Sequence, residues 1–182
     1  FVLGLATLLK AQGGGWNETA THDYLMRWAN HYDWKLCGEQ ESAALANPKG
    51  PANANNQLCG ATYAELYAMD GMRNKTWIAD TLKELDLEIE NNSTSLWSWV
   101  DALFMAMNTW SRIGTITGEQ KYFDQQFYDF SAAALEGPSN ATYHFWSDEH
   151  QLFYRDDTFL GSTVFWARGN GWAMGALVAA SS

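Results

Sequence analysis

Helical periodicity is the feature of this chain that most restricts its fold. Apolar side chains recur at three- and four-residue spacing in one segment after another, as at Val2, Leu5, Leu8 and Leu9. The segment 75–90 repeats the pattern. Only 3 Pro and 15 Gly interrupt the 182 residues, and long stretches contain neither. This combination favours packed helices over a turn-rich β-sandwich.

We expect about seven helices, separated by turns that contain glycine or polar residues. The second is expected to begin at Thr21 as its N-cap. The sixth is expected to carry its apolar side on Tyr122, Phe123, Phe127 and Phe130. The helical segments are expected from residue 2 to the glycines at 13–15, from Thr21, through 58–69, 75–90, 96–113 and 118–135, and from Gly171.

Successive helices are expected to pair as hairpins. Segments 5–26 and 107–127 share one plan, an apolar helix, a turn with glycine and a second helix, which indicates an α/α solenoid or toroid. Residues 139–168 interrupt this rhythm. A closed toroid of six hairpins needs twelve helices, or roughly 300 residues. We therefore expect residues 1–182 to form one partial domain, truncated at both ends.

The interrupting segment, residues 139–168, contains short runs of aromatic and β-branched residues. A loop of this length in a compact domain is usually functional. Its expected extended pieces are 143–146, 151–154 and 164–166.

Charge and hydropathy exclude two classes of partner. Eleven basic residues against 21 acidic ones leave a net charge of −10, whereas nucleic-acid binding needs a basic face. No run of about 18 uncharged apolar residues is present, so no membrane-spanning segment is expected. The sequence does not indicate an oligomeric state.

Sequons and cysteines bear on the compartment. Five Asn-x-Ser/Thr sequons predict a secreted glycoprotein, although so short a motif also arises by chance. They begin at Asn17, Asn74, Asn91, Asn92 and Asn140. Cys37 and Cys59 are predicted to form a disulfide in an oxidising compartment, and two buried thiols are the alternative.

The histidines indicate no metal site. None of them has the spacing of a metal-binding motif, and the cysteine pair lacks clustered neighbours. They are His22, His31, His144 and His150.

Asp101 is the strongest catalytic candidate, because it is the only charge in the aromatic and aliphatic run 95–110. Desolvation would raise the pKa of its carboxyl group and keep it protonated for general acid chemistry. Helical spacing is expected to place Trp97, Met105 and Asn108 on the same face as Asp101. Two other interpretations remain: Asp101 caps a later helix, or pairs with Arg168.

The run 165–172, FWARGNGW, is the strongest binding candidate. Its glycines are expected to form a tight turn with Asn170 capping the next helix. Arg168 stands between Trp166 and Trp172, a combination that suits a carboxylate carried on an apolar ring, as in a uronic acid. The alternative is an arginine stacked on tryptophan in the core.

Two weaker candidates lie elsewhere. An amide cluster that contains Asn56 and Gln57 precedes a predicted helix, and amides recognise sugar hydroxyls. Arg155 lies in the polar run 154–157 of the long loop. Both sets are equally consistent with solvated loops, which is the better interpretation of the amides.

These motifs resemble those of the unsaturated glucuronyl and rhamnogalacturonyl hydrolases of glycoside hydrolase family 105 and its relative, family 88. The matching runs follow the family's order and cover most of the chain: NNQLCGATYAELY at 55–67, WVDALFMAM at 99–107, SRIGTITGEQKYFD at 111–124, LFYRDDTF at 152–159 and FWARGNGW at 165–172.

The resemblance implies a fold, a reaction and a set of site residues. The fold is an (α/α)6 barrel, present here as a partial barrel of about seven helices. Asp101 is the implied general acid/base, and Trp166, Arg168 and Trp172 match the substrate-binding motif. The chain departs from the family pattern at Asn55-Asn56, where relatives often carry Asp. It also departs at Arg155, where some carry a histidine and where a different substrate is expected.

Three functions are therefore considered. The first is a glycosidase that hydrates the C4–C5 double bond of a 4,5-unsaturated uronic acid at the non-reducing end of lyase products. It needs one acid/base residue, no metal and no organic cofactor. The second is an inactive carbohydrate-binding α/α module, and the third is a helical scaffold for protein contacts. Asn56, Trp97 and Arg155 complete the expected substrate contacts of the first.

Overall fold

The computed structural model describes residues 2–11, 18–36, 53–91, 97–136 and 144–180, which contain seven α-helices and one two-stranded sheet. The helices are α1 (Val2–Ala11), α2 (Glu18–His31), α3 (Ala54–Met69), α4 (Thr76–Asn91), α5 (Val100–Thr117), α6 (Gln120–Phe130) and α7 (Ala167–Ala180). A π-helical turn, Ser131–Glu136, extends α6. Strands β1 (Trp146–Ser147) and β2 (Leu152–Phe153) pair antiparallel.

Alternate helices pack side by side. Helix α1 contacts α3, α3 contacts α5, and α5 contacts α7, while α2, α4 and α6 each pack on the helix that precedes them. Helices α3 and α5 are buried along most of their length, because neighbours cover them on several sides. The expected architecture of helical hairpins is confirmed, and the candidate site motifs lie on or next to the helices α3, α5 and α7.

Small residues let the inner helices approach closely. A Cβ atom on Gly60 of α3 would lie 2.7 Å from a methyl group of Thr81 in α4 and 2.9 Å from one of Thr109 in α5. Arg112 of α5 donates to Glu65 of α3 at 2.8 Å, with both side chains largely buried. Loss of one partner from such a pair costs about 3–5 kcal/mol, because the other charge stays buried.

Two carboxyl groups lie in the core between α4 and α6. The side-chain amide of Gln57 in α3 donates to Glu88 through its Nε2, and its Oε1 accepts the indole N–H of Trp110 at 3.2 Å. Burial, and after it the charge of the neighbouring Asp129, raise the pKa of Glu88 to about 9. Burial also raises the pKa of Asp129 to about 7, against the hydrogen bonds from Gln125, which lower it. Neither carboxyl group was singled out from the sequence.

Several helix boundaries differ from those expected. Thr21 lies inside α2, which begins three residues earlier, at Glu18. Helix α5 begins at Val100, not at residue 96, and continues through Gly114 to Thr117. It ends there because Gly118 adopts a left-handed conformation, with φ of 70°. Gly114 instead makes room for the Phe123 ring, which a Cβ atom would approach to 2.6 Å.

The expectations for the later part of the chain also needed correction. Phe127 is 71% exposed, so it does not belong to the apolar side of α6, which buries Tyr122 and Gln125. The segment 164–166 is not a strand. Helix α7 begins at Ala167, so the Gly-Asn-Gly run lies within the helix and does not form a turn before it.

The structure describes only some of the residues on which the predicted compartment depends. Asn74 is exposed in the turn between α3 and α4, and Asn91 is exposed at the end of α4. The other sequons and Cys37 fall outside the described residues, so glycosylation, secretion and the Cys37–Cys59 bond stay predictions. Among the described helices, none has the length and hydropathy needed to cross a bilayer.

Candidate active site

Asn170 ties the β-hairpin to the first turn of α7. Its Oδ1 accepts the backbone N–H of Phe153 at 2.7 Å, and its Nδ2 donates to the Phe153 carbonyl at 2.9 Å. The side chain therefore satisfies both backbone groups of a strand residue and does not cap a helix, contrary to the expectation. This clamp positions the chain that leaves β2, which leads directly to Tyr154 and Arg155.

The start of α5 is held against the same region. The Val100 N–H donates to the Arg155 carbonyl at 2.8 Å. A Cβ atom on Gly169 would approach Val100 to 2.7 Å and the Trp166 ring to 2.5 Å, so the first turn of α7 fits against α5 only because this residue is glycine. One turn further along each helix, Phe104 stacks on Trp172 with ring centroids 6.4 Å apart.

An open cavity of about 480 Å³ lies between the chain that follows β2 and the start of α7. Its volume falls within the range of ligand sites, about 300–1,000 Å³. Two of its lining side chains are cationic, and the others are mainly apolar. The lining residues are Arg155, Phe159, Val164, Phe165, Trp166 and Arg168.

Arg168 lies between two indole rings. Its guanidinium carbon is 4.6 Å from the Trp166 ring and 5.5 Å from the Trp172 ring, and the two indoles meet edge to face at 5.4 Å. Arg168 is exposed, so the alternative of a tryptophan-stacked arginine in the core is wrong. Within the described part of the chain, no carboxylate oxygen lies within 4 Å of its guanidinium. The rings fix the guanidinium plane and leave its donors available to a ligand.

Asp101 lies in the first turn of α5, next to this cavity. Its Oδ1 is buried and finds no hydrogen-bond partner among the described residues. Burial raises the pKa of the Asp101 carboxyl group. Its own backbone N–H, the Trp99 side chain and the charges of Arg155 and Arg168 lower the pKa without cancelling that rise. Asp101 is neither the N-cap, which is Trp99, nor within 4 Å of an arginine in the described residues.

The remaining predicted contacts lie elsewhere. Trp97 precedes α5, so it does not share a helical face with Asp101, and only 1% of it is exposed in the core beside Glu88. Asn56 is half-buried in the first turn of α3, where its N–H donates to Asn53. Neither lines the cavity. Arg155, Trp166 and Arg168 are brought together, with Asp101 and Trp172 beside them.

The sequence analysis did not identify three of the residues that line the cavity, and it assigned Asn170 a different role. Phe159, Val164 and Phe165 line the cavity, and Asn170 holds the hairpin. The position of Phe165 beside Trp166 was an available signal, and so was the polar Asn170 between two glycines. The described residues contain no cluster of three or more His, Cys, Asp or Glu side chains arranged to hold a metal ion.

Curated relatives align with about half of this chain. A relative named unsaturated 3S-rhamnoglycuronyl hydrolase, from Alteromonas sp., is 37% identical over 95 residues, which is 49% of this chain and 21% of the relative. One of the same name from Formosa agariphila is 31% identical over 100 residues, covering 48% and 24%. An unsaturated rhamnogalacturonyl hydrolase from Bacillus subtilis is 30% identical over 79 residues, covering 42% and 21%.

Solved structures agree on the fold. A glycosyl hydrolase family 88 protein from Bacteroides vulgatus superposes with a TM-score of 0.77 at 23% identity, over 98% of this chain and 52% of its own. A polysaccharide lyase superposes with a TM-score of 0.76 at 21% identity, over 98% and 51%. The chain thus spans about half the length of these structures. The expected (α/α)6-barrel fold is confirmed, with the described helices as part of the barrel.

The family is shown by a match along nearly the whole chain. The family model described as Glycosyl Hydrolase Family 88 matches residues 6–181, which include both the Asp101 motif and the Arg168 motif. This chain therefore belongs to glycosyl hydrolase family 88.

Proposed function

We propose that this protein is a glycoside hydrolase that removes a 4,5-unsaturated uronic acid from the non-reducing end of an oligosaccharide. The observation that carries the proposal is the position of Asp101. A carboxyl group with a buried, unpartnered oxygen and a raised pKa lies next to a cavity that contains two arginines and aromatic walls. A proton donor beside a carboxylate receptor suits an acidic sugar.

Arg168 would bind the uronate carboxylate. A guanidinium held between two indoles presents parallel donors in one plane, which matches a planar carboxylate conjugated with a ring double bond. Binding also has an electrostatic consequence. The Arg168 charge lowers the pKa of Asp101, and a bound carboxylate neutralises that charge, so substrate binding favours the protonated Asp101 that the first step needs.

The reaction then proceeds by hydration. Asp101 gives its proton to C4, a water adds its oxygen to C5, and the second proton of that water passes to the Asp101 carboxylate. The hemiketal formed at C5 opens to a ketone, and C1, left as a hemiacetal, releases the aglycone as an alcohol. One residue serves as acid and then base, unlike the carboxylate pairs of most glycosidases. No metal or organic cofactor enters these steps.

The relatives support this class of substrate. Those that align with this chain are named as hydrolases of unsaturated rhamnoglycuronyl and rhamnogalacturonyl groups. The matched segments cover less than a quarter of each relative, so the parent polysaccharide is not inferred from their names.

The first test concerns the double bond. We expect the protein to abolish the ultraviolet absorbance of unsaturated uronides prepared with a polysaccharide lyase, and to leave the matching saturated uronides intact. Chromatography of both reactions identifies the released aglycone. Equal cleavage of both substrates would contradict hydration and require a second carboxylate. Sugar binding without turnover would instead favour a carbohydrate-binding module.

The second test concerns the shape of the guanidinium. Arg168→Lys keeps the positive charge but removes the planar fork and its stacking between the indoles. We expect KM for the unsaturated uronide to rise about tenfold or more, the equivalent of one charge-assisted hydrogen bond, with a smaller change in kcat. Arg73→Lys, at an exposed arginine that pairs with Asp70, is the matched control. An unchanged KM in Arg168→Lys would exclude Arg168 as the carboxylate receptor.

A further inference from the structure

The β-hairpin is too small to hold its own shape. Strands β1 and β2 contribute two residues each. Gln151 in the connecting loop has a φ of 54°, a left-handed conformation that is unfavourable for a residue with a side chain. A two-stranded hairpin is marginally stable at best in water, so this one depends on the surface against which it packs. That surface is the start of α7, the helix that carries Arg168.

Asn170 of α7 pairs with β2 as a neighbouring strand would. Its Oδ1 accepts the Phe153 N–H at 2.7 Å and its Nδ2 donates to the Phe153 carbonyl at 2.9 Å, so one side chain satisfies both backbone groups of a strand residue. The same Nδ2 donates to the Trp166 carbonyl at 3.1 Å. Because Asn170 is only 5% exposed, water competes little for these bonds. The amide therefore joins the hairpin firmly to the first turn of α7.

A second contact between the hairpin and this segment lies on the other side of Arg168 in the chain. The Phe165 ring stacks on Tyr154 with centroids 4.9 Å apart, and the His150 ring lies at the same distance. The Ser147 hydroxyl oxygen lies 3.2 Å from the His150 Nδ1 and accepts the His150 N–H at 3.3 Å. The hairpin and its exit thus hold the chain both before and after Arg168.

Arg168 and Asn170 lie on opposite sides of the first turn of α7. Successive residues of an α-helix are rotated by about 100°, so these two side chains point about 200° apart, and Arg168 is exposed. The first turn of a helix lacks intrahelical partners for its N–H groups and frays easily. Gly169, which packs on Val100 of α5, has no side chain that could fix the rotation of this turn. A rotation would move the Arg168 guanidinium away from its place in the cavity.

We propose that Asn170 is a positioning residue for Arg168: its bonds to Phe153 fix the rotation of the first turn of α7 and thereby aim the guanidinium at the uronate carboxylate. This inference rests on the proposed function, which assigns that carboxylate to Arg168. Asn170 does not line the cavity, so it acts through the arginine. A purely structural residue would affect stability alone, whereas a positioning residue also affects how well the protein distinguishes a carboxylate from a neutral group of the same shape.

Two ligands that differ in charge test the proposal, an unsaturated uronide disaccharide and its carboxamide. Both are titrated by calorimetry into the Asp101→Asn variant, so that affinity is measured without turnover. We expect this reference protein to bind the uronide about tenfold or more tightly than the carboxamide, because only the carboxylate forms a charge-assisted pair with the guanidinium. Adding Asn170→Ala should lower this ratio about fivefold, the equivalent of one hydrogen bond, and change the carboxamide affinity little.

Thr109→Val in the same background is the matched control. It removes another buried bond from a side chain to a backbone carbonyl, from Thr109 to Gln57 at 2.6 Å, which joins α5 to α3 and does not border the cavity. This control should lower the melting temperature and keep the ratio of the two affinities. If Asn170→Ala does not fold, Tyr154→Leu takes its place, because it removes the ring stacked on Phe165 without changing a charge. It should also lower the ratio.

The outcomes separate this inference from the proposed function. An unchanged ratio in a folded Asn170→Ala variant, or in the Tyr154→Leu variant that replaces it, overturns the inference and leaves the hydrolase assignment intact. An equal fall in Thr109→Val also overturns it, since destabilisation alone would then explain the effect. Equal affinity of the reference protein for both ligands overturns the role of Arg168 together with the inference. A ratio lost in Asn170→Ala, combined with no turnover by the wild-type protein, would overturn the hydrolase assignment and keep the positioning role.

Discussion

Asp101→Asn is expected to lower the turnover of unsaturated uronides at least about 100-fold, the lower end of the range for general acid/base catalysis. The amide keeps the size and hydrogen-bonding capacity of the carboxyl group but has no proton to give to C4. Since Arg168 and the indoles are untouched, the affinity for the substrate should change little. Single-turnover kinetics with the ultraviolet signal, together with calorimetry, measure the two quantities separately.

The control for this prediction is Asp124→Asn. Asp124 is exposed on α6 and accepts a hydrogen bond from Gln120 at 3.0 Å, so its replacement removes a surface carboxylate and should leave turnover within about twofold of the wild type. Thermal unfolding of both variants shows whether either substitution disturbs the fold. A tenfold or smaller loss in a well-folded Asp101→Asn would assign the proton transfer to another group.

Substrate binding is expected to change the pKa of Asp101. Burial raises the pKa of Asp101, while Arg155 and Arg168 lower it from outside. In the free enzyme both arginine charges act on Asp101, and in the proposed complex the substrate carboxylate neutralises that of Arg168. The protonated form of Asp101 is therefore favoured more strongly after binding than before, which couples substrate recognition to the availability of the catalytic proton.

The candidate site residues could be singled out from the sequence because their chemistry is local. Asp101 is isolated in an apolar run, and Arg168 is flanked by Trp166 and Trp172 within seven residues, so the unusual combinations were visible without the fold. The structure brings these residues together by contacts that have no local signal. Val100 bonds Arg155 across 55 positions of the chain, and Asn170 clamps a strand residue.

Errors in the fold prediction have a common physical origin. Glycine and asparagine predicted a turn at 169–171, but Gly169 is needed inside a helix, since Val100 and Trp166 leave no room for a Cβ atom. The same reasoning applies to Gly114, which accommodates Phe123. A glycine inside a helix costs about 1 kcal/mol relative to alanine. In both cases tertiary packing outweighs this cost.

The predicted helical faces of Trp97 and Phe127 were wrong for a related reason. Periodicity assigns faces only within one continuous helix, and α5 begins after Trp97, which places this indole in the core. Phe127 follows the helical pattern of α6, yet it is exposed while Gln125 and Asp129 are buried. A sequence does not reveal that Glu88 of α4 has a buried partner in Gln57 of α3, or that Asp129 of α6 lies close enough to Glu88 to raise its pKa.

The Glu88–Asp129 pair is expected to make the stability of the fold depend strongly on pH. Burial and the proximity of Asp129 raise the pKa of Glu88 to about 9 in the folded protein, from an ordinary value of 4.5. Between these two pH values the unfolded chain has lost a proton that the folded chain retains. The free energy of unfolding therefore falls as pH rises from about 4.5 to about 9, and Asp129, with a pKa of about 7, adds to the fall at its lower end.

Glu88→Gln should remove the larger part of this dependence. The glutamine carbonyl can still accept the hydrogen bond from Gln57, and the side chain no longer carries a group that ionises in the core. Between pH 5 and pH 8, the free energy of unfolding of the variant should therefore fall less than that of the wild type. At about 1.4 kcal/mol per pKa unit, this difference amounts to several kcal/mol. Denaturant unfolding of both proteins at pH 5, 6, 7 and 8 measures that difference, and Glu90→Gln, at an exposed position of the same helix, is the control. A difference between wild type and Glu88→Gln that stays constant across this range would mean that Glu88 is ionised in the fold, with its charge compensated by groups other than Gln57.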